Sequence, residues 1–462
     1  MMSPKTRIAV SALATLMAFR MLGLFMILPV FSLYVNSIPE ATPALIGLAI
    51  GIYGLGQACF QIPLGMLSDR IGRKPVITLG LILFGTGSFI AASAHTIHGI
   101  VLGRAIQGVG AIGSTTLAFV ADLTHDEDRS KAMAIMGMVI GFSFAIAMVL
   151  GPTVNAWLHL RGIFWITLGL AGAGLVLLYT AIPPGPQLLT HPHVEAEWKH
   201  FRAVFTHTQL LNLDFGIFSL HAILTALFIA IPVLMTHTAH LTEATQAGLY
   251  FIIFITAFIV MIPFLILAEK KRRIKPLFMS AITLLILTPP LLLSWPHSIW
   301  GIGSILLFFF IAFTLLEASL PSLISKISPI RRKGTAMGVY SSAQFLGIFV
   351  GGSFGGWLFS HFYLIGIGVF CALLGFFWLM TTFLLREPPA VTTIIFHIDE
   401  LSISHERELH HLLRNIPGVR EIAFLSNEHS VYLKIDQQII REDELRKRMR
   451  ESNLLASEKG EN

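Results

Sequence analysis

Several ionisable side chains stand inside stretches otherwise too apolar for charge: Arg20, Arg104, Asp122, Asp214, His221 and Glu317. A charge within a bilayer needs a partner or a task, so each is a candidate for carrying protons or substrate. Glu317 lies in Ala312-Phe313-Thr314-Leu315-Leu316-Glu317-Ala318, with no Lys or Arg until Lys326. A carboxyl so far from any cation is a candidate for a group that takes up and releases a proton. Asp214 and His221 are seven residues apart, two helical turns, so they share a face. Asp214 is only one turn from its helix start, where capping is the competing role. Arg20 has no acidic neighbour in its own run. Glu317 is therefore read as the protonatable group, with His221 as partner and Arg20 or Arg104 as counter-charge. Asp122 closes its run at the membrane edge, where simple solvation competes with function.

The other dense stretch is Gly65-Met66-Leu67-Ser68-Asp69-Arg70-Ile71-Gly72-Arg73-Lys74-Pro75. Asp69 closes one apolar run and Gly72 allows a sharp reversal. Arg73 and Lys74 put charge at the boundary, and Pro75 sits where a helix can begin without its N–H. The plainer reading is that Arg and Lys in a short loop only set membrane orientation.

The elements that must hold these groups are membrane helices. The chain of 462 residues is 54% hydrophobic and 13% charged, with a mean hydropathy of +0.74. Soluble domains carry about 25% charged residues. Twelve apolar runs are long enough to span: 8–35, 44–66, 75–94, 98–122, 131–158, 162–182, 210–236, 244–268, 275–294, 298–325, 333–360 and 362–385. The first is too long for a signal-peptide core and reads as a retained span. Cys59 and Cys371 both fall in such runs, so neither a disulfide nor a thiolate metal site is indicated. The net charge of +6 gathers on one side, in Lys5, Arg7, Arg70, Arg73, Lys74, Arg129, Lys131, Lys199, Arg202, the 270–275 cluster, Lys326, Arg331 to Lys333 and the tail. The opposite loops hold Arg161 alone. Positive charge stays inside, so both termini are expected in the cytoplasm and nucleic acid is not an expected partner.

The polar stretch around Pro183 to Thr208 divides the runs into two sets of six. The halves echo each other at an offset of 201 residues: Lys74-Pro75 and Lys275-Pro276, Met136-Gly137 and Met337-Gly338, Gly151 and Gly352. The pattern G-x-x-x-D-R-x-G-R-K over Gly65, Asp69, Arg70, Gly72, Arg73 and Lys74 resembles the signature loop between helices 2 and 3 of the major facilitator superfamily. That resemblance implies an all-α polytopic membrane protein of 12 transmembrane helices in two six-helix halves. It implies alternating access about a midplane site, with Asp69, Arg73 and Asp122 as a charge relay and Asp69 facing the start of helix 11 near Lys333 to Thr335. Arg104 opens Arg-x-x-Gln-Gly, which matches the helix 4 motif of proton-linked members, although a fixed counter-charge between helices 1 and 4 is the plainer role. The helix 5 antiporter pattern is partial: Gly141, Gly151 and Pro152 fit, while Asn155-Ala156 replace the usual Gly-Gly. Glycines on helix 2 (Gly47, Gly51, Gly54, Gly56) and helix 11 (Gly347, Gly351, Gly352, Gly355, Gly356) are expected to meet across the halves.

After Glu387-Pro388-Pro389 the composition turns soluble. Thr392 to Ile398, Val419 to Leu425 and Ser430 to Ile435 alternate as strands. Ser404 to Ile416 and Glu442 to Arg450 read as helices, the first with Leu409, Leu412 and Leu413 inward. The order resembles a small C-terminal α+β ferredoxin-like domain, whose core should include Leu409, Leu412, Val431 and Leu433.

The expected organisation is a six-helix bundle over 1–182, a cytoplasmic linker over 183–208, a second bundle over 209–387, the soluble domain over 391–450 and a disordered tail over 451–462. No phosphate loop, nucleophile elbow or paired metal-ligand motif suggests an enzyme, and no cofactor or metal is expected. The leading expectation is a proton-coupled exporter of a small molecule in a bacterial inner membrane, with lipid, protons and substrate as partners. The alternative is a membrane-anchored sensor whose tail binds a cytoplasmic partner.

Overall fold

A computed structural model describes residues 4–124, 126–183, 202–270, 273–294, 298–329, 332–385, 391–397, 410–425, 430–436, 439–440 and 443–446. Its helices are α1 (Pro4–Phe25), α2 (Pro43–Ile71), α3 (Arg73–Ser93), α4 (Ile97–Val109), α5 (Gly113–Leu123), α6 (Asp126–Thr180), α7 (Thr208–Val233), α8 (Glu243–Lys270), α9 (Ile274–Ser294), α10 (Ile299–Ile327) and α11 (Lys333–Phe383). Local chemistry explains their ends. The Thr42 hydroxyl accepts from Leu45 N at 3.2 Å with Pro43 next, which starts α2. Gly72, at φ 99°, stops it and reverses the chain directly into α3.

Two helices are too long to be single crossings. A straight run of 50 residues would measure about 75 Å against about 30 Å of hydrocarbon. Each holds one residue with non-helical backbone, His159 in α6 and Tyr363 in α11. Near the first break Arg161 donates to Ala94 O, at the far end of α3. At the end of α6 Ile182 O accepts from Lys74, at the near end of α3. The chain has gone out and returned, so α6 and α11 each cross twice. The fourth crossing departs from the continuous 98–122 helix expected: it is α4 then α5, broken between Gly110 and Ile112. Gly108 and Gly110 press against the Tyr53 and Gly80 carbonyls there, at a separation no Cβ could share. Counting α4–α5 as one crossing and α6 and α11 as two each gives twelve among the described residues.

The duplication is visible in hydrogen bonds. Lys74 Nζ donates to Ile182 O at 2.5 Å, and Lys275 Nζ donates to Phe383 O at 2.9 Å. Both partners keep the same 201-residue offset. Exposed Trp157 and Trp300 stand at the crossing ends remote from the Gly72 turn, where amphipathic rings favour an interface.

Strands β1 (Val391–His397), β2 (Val419–Leu425) and β3 (Ser430–Asp436) form an antiparallel sheet in the order β1-β3-β2. Ile394, Phe396, Leu413, Val431, Leu433, Ile435 and Leu445 pack into a core separate from the helices. Leu412 is not part of it; it is 46% exposed, and its neighbour Leu413 turns inward instead. Leu409 and the start of its expected helix lie outside the described residues, as does most of the linker. Lys434, buried on β3, donates to Ser328 O just beyond α10, so the sheet rests on the helical part.

Candidate functional site

At the Gly72 turn the side chains meet as the signature requires. Arg73 forms ion pairs with Asp69 and, through Nε at 2.7 Å, with Asp122 at the end of α5. Its Nη1 also donates to Ser68 Oγ at 2.7 Å. Arg73 is thereby satisfied on three sides, tying α2, α3 and α5 together. Asp69 makes no hydrogen bond or ion pair with residues 333–335 among the described residues, so its contact with the start of α11 is not formed here. Gly65 has Ser114 as its nearest neighbour, and Arg70 is exposed.

In the first half two arginines are buried without a carboxylate. Arg20 donates to Gln57 Oε1 and to Met17 Sδ at 3.7 Å, and its guanidinium lies 5.6 Å from the Phe345 ring of α11. Its Nε has no partner. Gln57 is held in turn by Gly108 O at 3.0 Å and the Tyr53 hydroxyl at 3.3 Å. Arg104 donates to Ala49 O at 3.2 Å and Gln107 Oε1 at 3.0 Å, and sits 4.7 Å above the Tyr53 ring. It therefore binds the fourth crossing to α2 and not to α1. Neither arginine is paired with Glu317 among the described residues, so the expected counter-charge pairing is not formed here: Arg104 is held by carbonyl, amide and ring groups of its own half, while Arg20 meets Gln57, Met17 and the Phe345 ring of the opposite half.

The second half holds the acids. Glu317 on α10, His221 on α7 and Gln344 on α11 converge. Gln344 Nε2 lies 2.9 Å from His221 Nε2 and 3.3 Å from Glu317 Oε1. His221 Nδ1 is 3.3 Å from Ile217 O, which can only accept, so Nδ1 carries the proton and Nε2 accepts from Gln344. The two hydrogens of one amide thus bridge an imidazole and a carboxyl. Glu317 Oε2, 3.9 Å from His221 Nε2, has no hydrogen-bond partner. It can hold a proton without disturbing the bond that Oε1 accepts. Asp214 is also buried, with both oxygens unpartnered, and the buried Tyr340 hydroxyl is unpartnered as well. Asp214 does not cap its helix; the His207 imidazole accepts from Leu210 N at 3.4 Å. Gln344 and Tyr340 were missed because neutral polar groups do not stand out among ionisable ones. Their signal was two hydrogen-bonding side chains within the glycine-bearing helix.

The halves meet along α2 and α11. A Cβ on Gly47 would lie 2.3 Å from Gly352 O, one on Gly51 2.7 Å from Phe349 O, and one on Gly54 2.5 Å from Phe345 O. Toward the Gly72 turn the contact loosens, and Gly338 has only Ile62 Cγ1, at 3.8 Å. Other expected glycines serve different contacts. Gly351, with Gly347 and Gly355, packs on α7 within its own half, Gly56 on Gly108, and Gly151 on Met26 O beside Pro152. Asn155 adds a second link across the halves: its Nδ2 donates to Glu243 Oε1 at 2.5 Å, and its Oδ1 accepts from the Tyr34 hydroxyl at 2.7 Å. The structure is joined at the end remote from the signature turn.

The Major Facilitator Superfamily model matches residues 13–352 and 213–417. The inner membrane transport protein YajR of Escherichia coli K12 is 41% identical over 451 residues, covering 98% of this chain and 99% of that protein. Among solved structures, a bacterial homologue of the human lysosomal transporter Spinster, inward-facing and occupied, has a TM-score of 0.66 at 15% identity, covering 84% of this chain and 98% of its own. A D-xylose-proton symporter gives 0.62 at 19% identity, covering 81% and 96%. The signature turn, the duplicated bundles and these matches agree: the chain belongs to the Major Facilitator Superfamily of membrane transporters.

Proposed function

We propose that this protein exports a small molecule across a bacterial inner membrane in exchange for protons. The two bundles rock about the α2–α11 contact, and both termini lie in the cytoplasm. The observation that carries the reading is the Glu317–Gln344–His221 cluster, where three helices of the second half converge. A coupling group must be reached from either side in turn, and Glu317 offers an unpartnered oxygen beside a bistable hydrogen-bond bridge. Turning the Gln344 amide over would present its oxygen to a protonated imidazole, so proton arrival and local geometry are linked. Asp69 and Asp122, at the rim, are both paired with Arg73 and serve as a latch between helices.

The bundles are taken as residues 1–182 and 209–387, joined by 183–208. The strand order β1-β3-β2 agrees with a ferredoxin-like domain over 391–450, to which we assign modulation of transport or a cytoplasmic partner. Glu317→Gln imitates the protonated carboxyl. In reconstituted vesicles it should abolish transport driven by a proton gradient yet preserve substrate exchange between equal pools. Accumulation by Glu317→Gln under a proton gradient alone would refute the assignment.

A further inference from the structure

Among the described residues, no carboxylate pairs with the buried Arg20 of the first bundle. The break in the fourth crossing leaves α4 with 13 residues and α5 with 11, so the N-terminus of α5 opens near the middle of the membrane. Ile112 occupies its cap position and supplies no side-chain acceptor. The first intrahelical bond recorded there is Thr116 N to Ile112 O, at 2.9 Å. The N–H groups of Gly113, Ser114 and Thr115 therefore have no acceptor within the helix. Such an end carries about half a positive charge and is a ready anion site. An unoccupied helix end alone would mean little, but Arg20 points at it. A Cβ built on Gly113 would lie 2.7 Å from Arg20 Nη1, so the guanidinium packs directly on this end and a larger residue would displace it.

Arg20 is 3% exposed, and its Nε is unpartnered. Its bonds go to a neutral amide and a thioether, both weak substitutes for a carboxylate. Gln61 Oε1, 3.3 Å from the same Gly113 position and also unpartnered, belongs to an amide that can turn to present its NH2. The Thr115 hydroxyl nearby is a further buried group without a partner. The other wall is apolar, formed by Met17 and by Phe345 from the opposite half. A buried guanidinium facing a bare helix end lacks an anion, and the phenyl wall lies on the surface that moves when the halves rock.

We infer that the Arg20 guanidinium and the N-terminus of α5, which lie side by side, together bind the anionic group of the transported molecule, a carboxylate-bearing organic anion whose apolar body lies against Met17 and Phe345. The carboxylate accepts from the Arg20 fork and from the N–H groups of Gly113 and Ser114. The inference rests on the transport reading for the word transported, while the anion site itself stands on the geometry.

The test uses the full-length protein in lipid nanodiscs, titrated calorimetrically with benzoate, with benzamide as neutral isostere and benzyltrimethylammonium as cation. Benzoate should bind saturably, at least about tenfold tighter than either control. Arg20→Gln should weaken benzoate at least about tenfold, and Arg20→Lys less, since it keeps charge but loses the fork. Gly113→Ala, which leaves every charge in place and displaces the guanidinium, should weaken it as well. Equal binding of benzoate and benzamide would overturn the site. So would undiminished binding to Arg20→Gln, no benzoate binding at all, or competitive displacement of benzoate by chloride at similar concentration. Arg20-dependent benzoate binding without flux of any organic anion in vesicles would leave the site standing and sink the transport reading. Transport of a cation unaffected by Arg20→Gln would do the reverse.

Discussion

The Gly47–Gly352 contact offers the sharpest test of how the halves move. In Gly47→Ala the new methyl would meet Gly352 O at 2.3 Å, Gly356 Cα at 2.7 Å and Gly356 N at 2.9 Å. All three are backbone atoms of the opposite half, so no side chain can swing aside. Overpacking of this kind costs about 1–3 kcal/mol. The cost applies only while the ends remote from the signature turn are together. It should therefore shift the population toward the form with those ends apart by about 5- to 150-fold. Pulsed electron double resonance between spin labels on Trp157→Cys and Trp300→Cys, with Cys59→Ser, reads that separation directly. Both tryptophans are more than four-fifths exposed, at 83% and 85%, so labelling should not disturb packing. Gly141→Ala is the control, because nothing lies within 4 Å of its added methyl. A distance distribution unchanged in Gly47→Ala, or shifted equally in Gly141→Ala, would refute the account of α2–α11 as the moving contact.

The signature turn should be graded by exposure. Arg73→Ala should slow transport most, and Asp122→Asn more than Asp69→Asn, since Asp122 is 30% and Asp69 53% exposed, with membrane insertion equal in all three. Exposed pairs are worth only about 0.2–1 kcal/mol, so each single carboxylate change should alter the rate no more than severalfold; the reverse order would count against the relay. In the tail, Leu433→Ala removes a fully buried side chain and should destabilise that domain by about 2–5 kcal/mol. Truncation after Pro389 should leave insertion intact and transport at least partly active, and loss of insertion would show the sheet to be integral to the bundle.

How much of this could be read beforehand depended on whether a group acts locally. Gly72 needs left-handed backbone, and Asp69 and Arg73 are one helical turn apart, so the sequence of the turn contains most of its geometry. The offset between halves was legible for the same reason, since Lys74 and Lys275 each open a helix and reach one carbonyl. The glycine stripes were visible, but not which face each glycine serves. Gly351 and Gly352 are adjacent, yet one meets Ala222 of α7 and the other Gly47 of α2. That division depends on the rotation of α11 between two neighbours. Asn155 looked like a departure from an antiporter pattern; its role appears only when Glu243, 88 residues away, is placed opposite. Arg20 and Arg104 were recognised as buried charges, but the amides, carbonyls and ring faces they meet here carry no charge that the sequence would mark.

The repeat also shows what was free to diverge. At the common offset Arg20 corresponds to His221, and Thr116 to Glu317. The basic position faces the fourth crossing in one half and its counterpart α10 in the other, so the duplicated scaffold presents the same pair of sites twice. In the second half the pair is imidazole and carboxyl, bridged by the Gln344 amide. In the first it is guanidinium and hydroxyl, and the Thr116 hydroxyl is spent on Ile112 O. Backbone contacts such as Lys74 to Ile182 and Lys275 to Phe383 stayed alike because both bundles need them to close. The paired sites carry no such constraint, and their divergence leaves a guanidinium in one half where the other holds an imidazole bridged to a carboxyl.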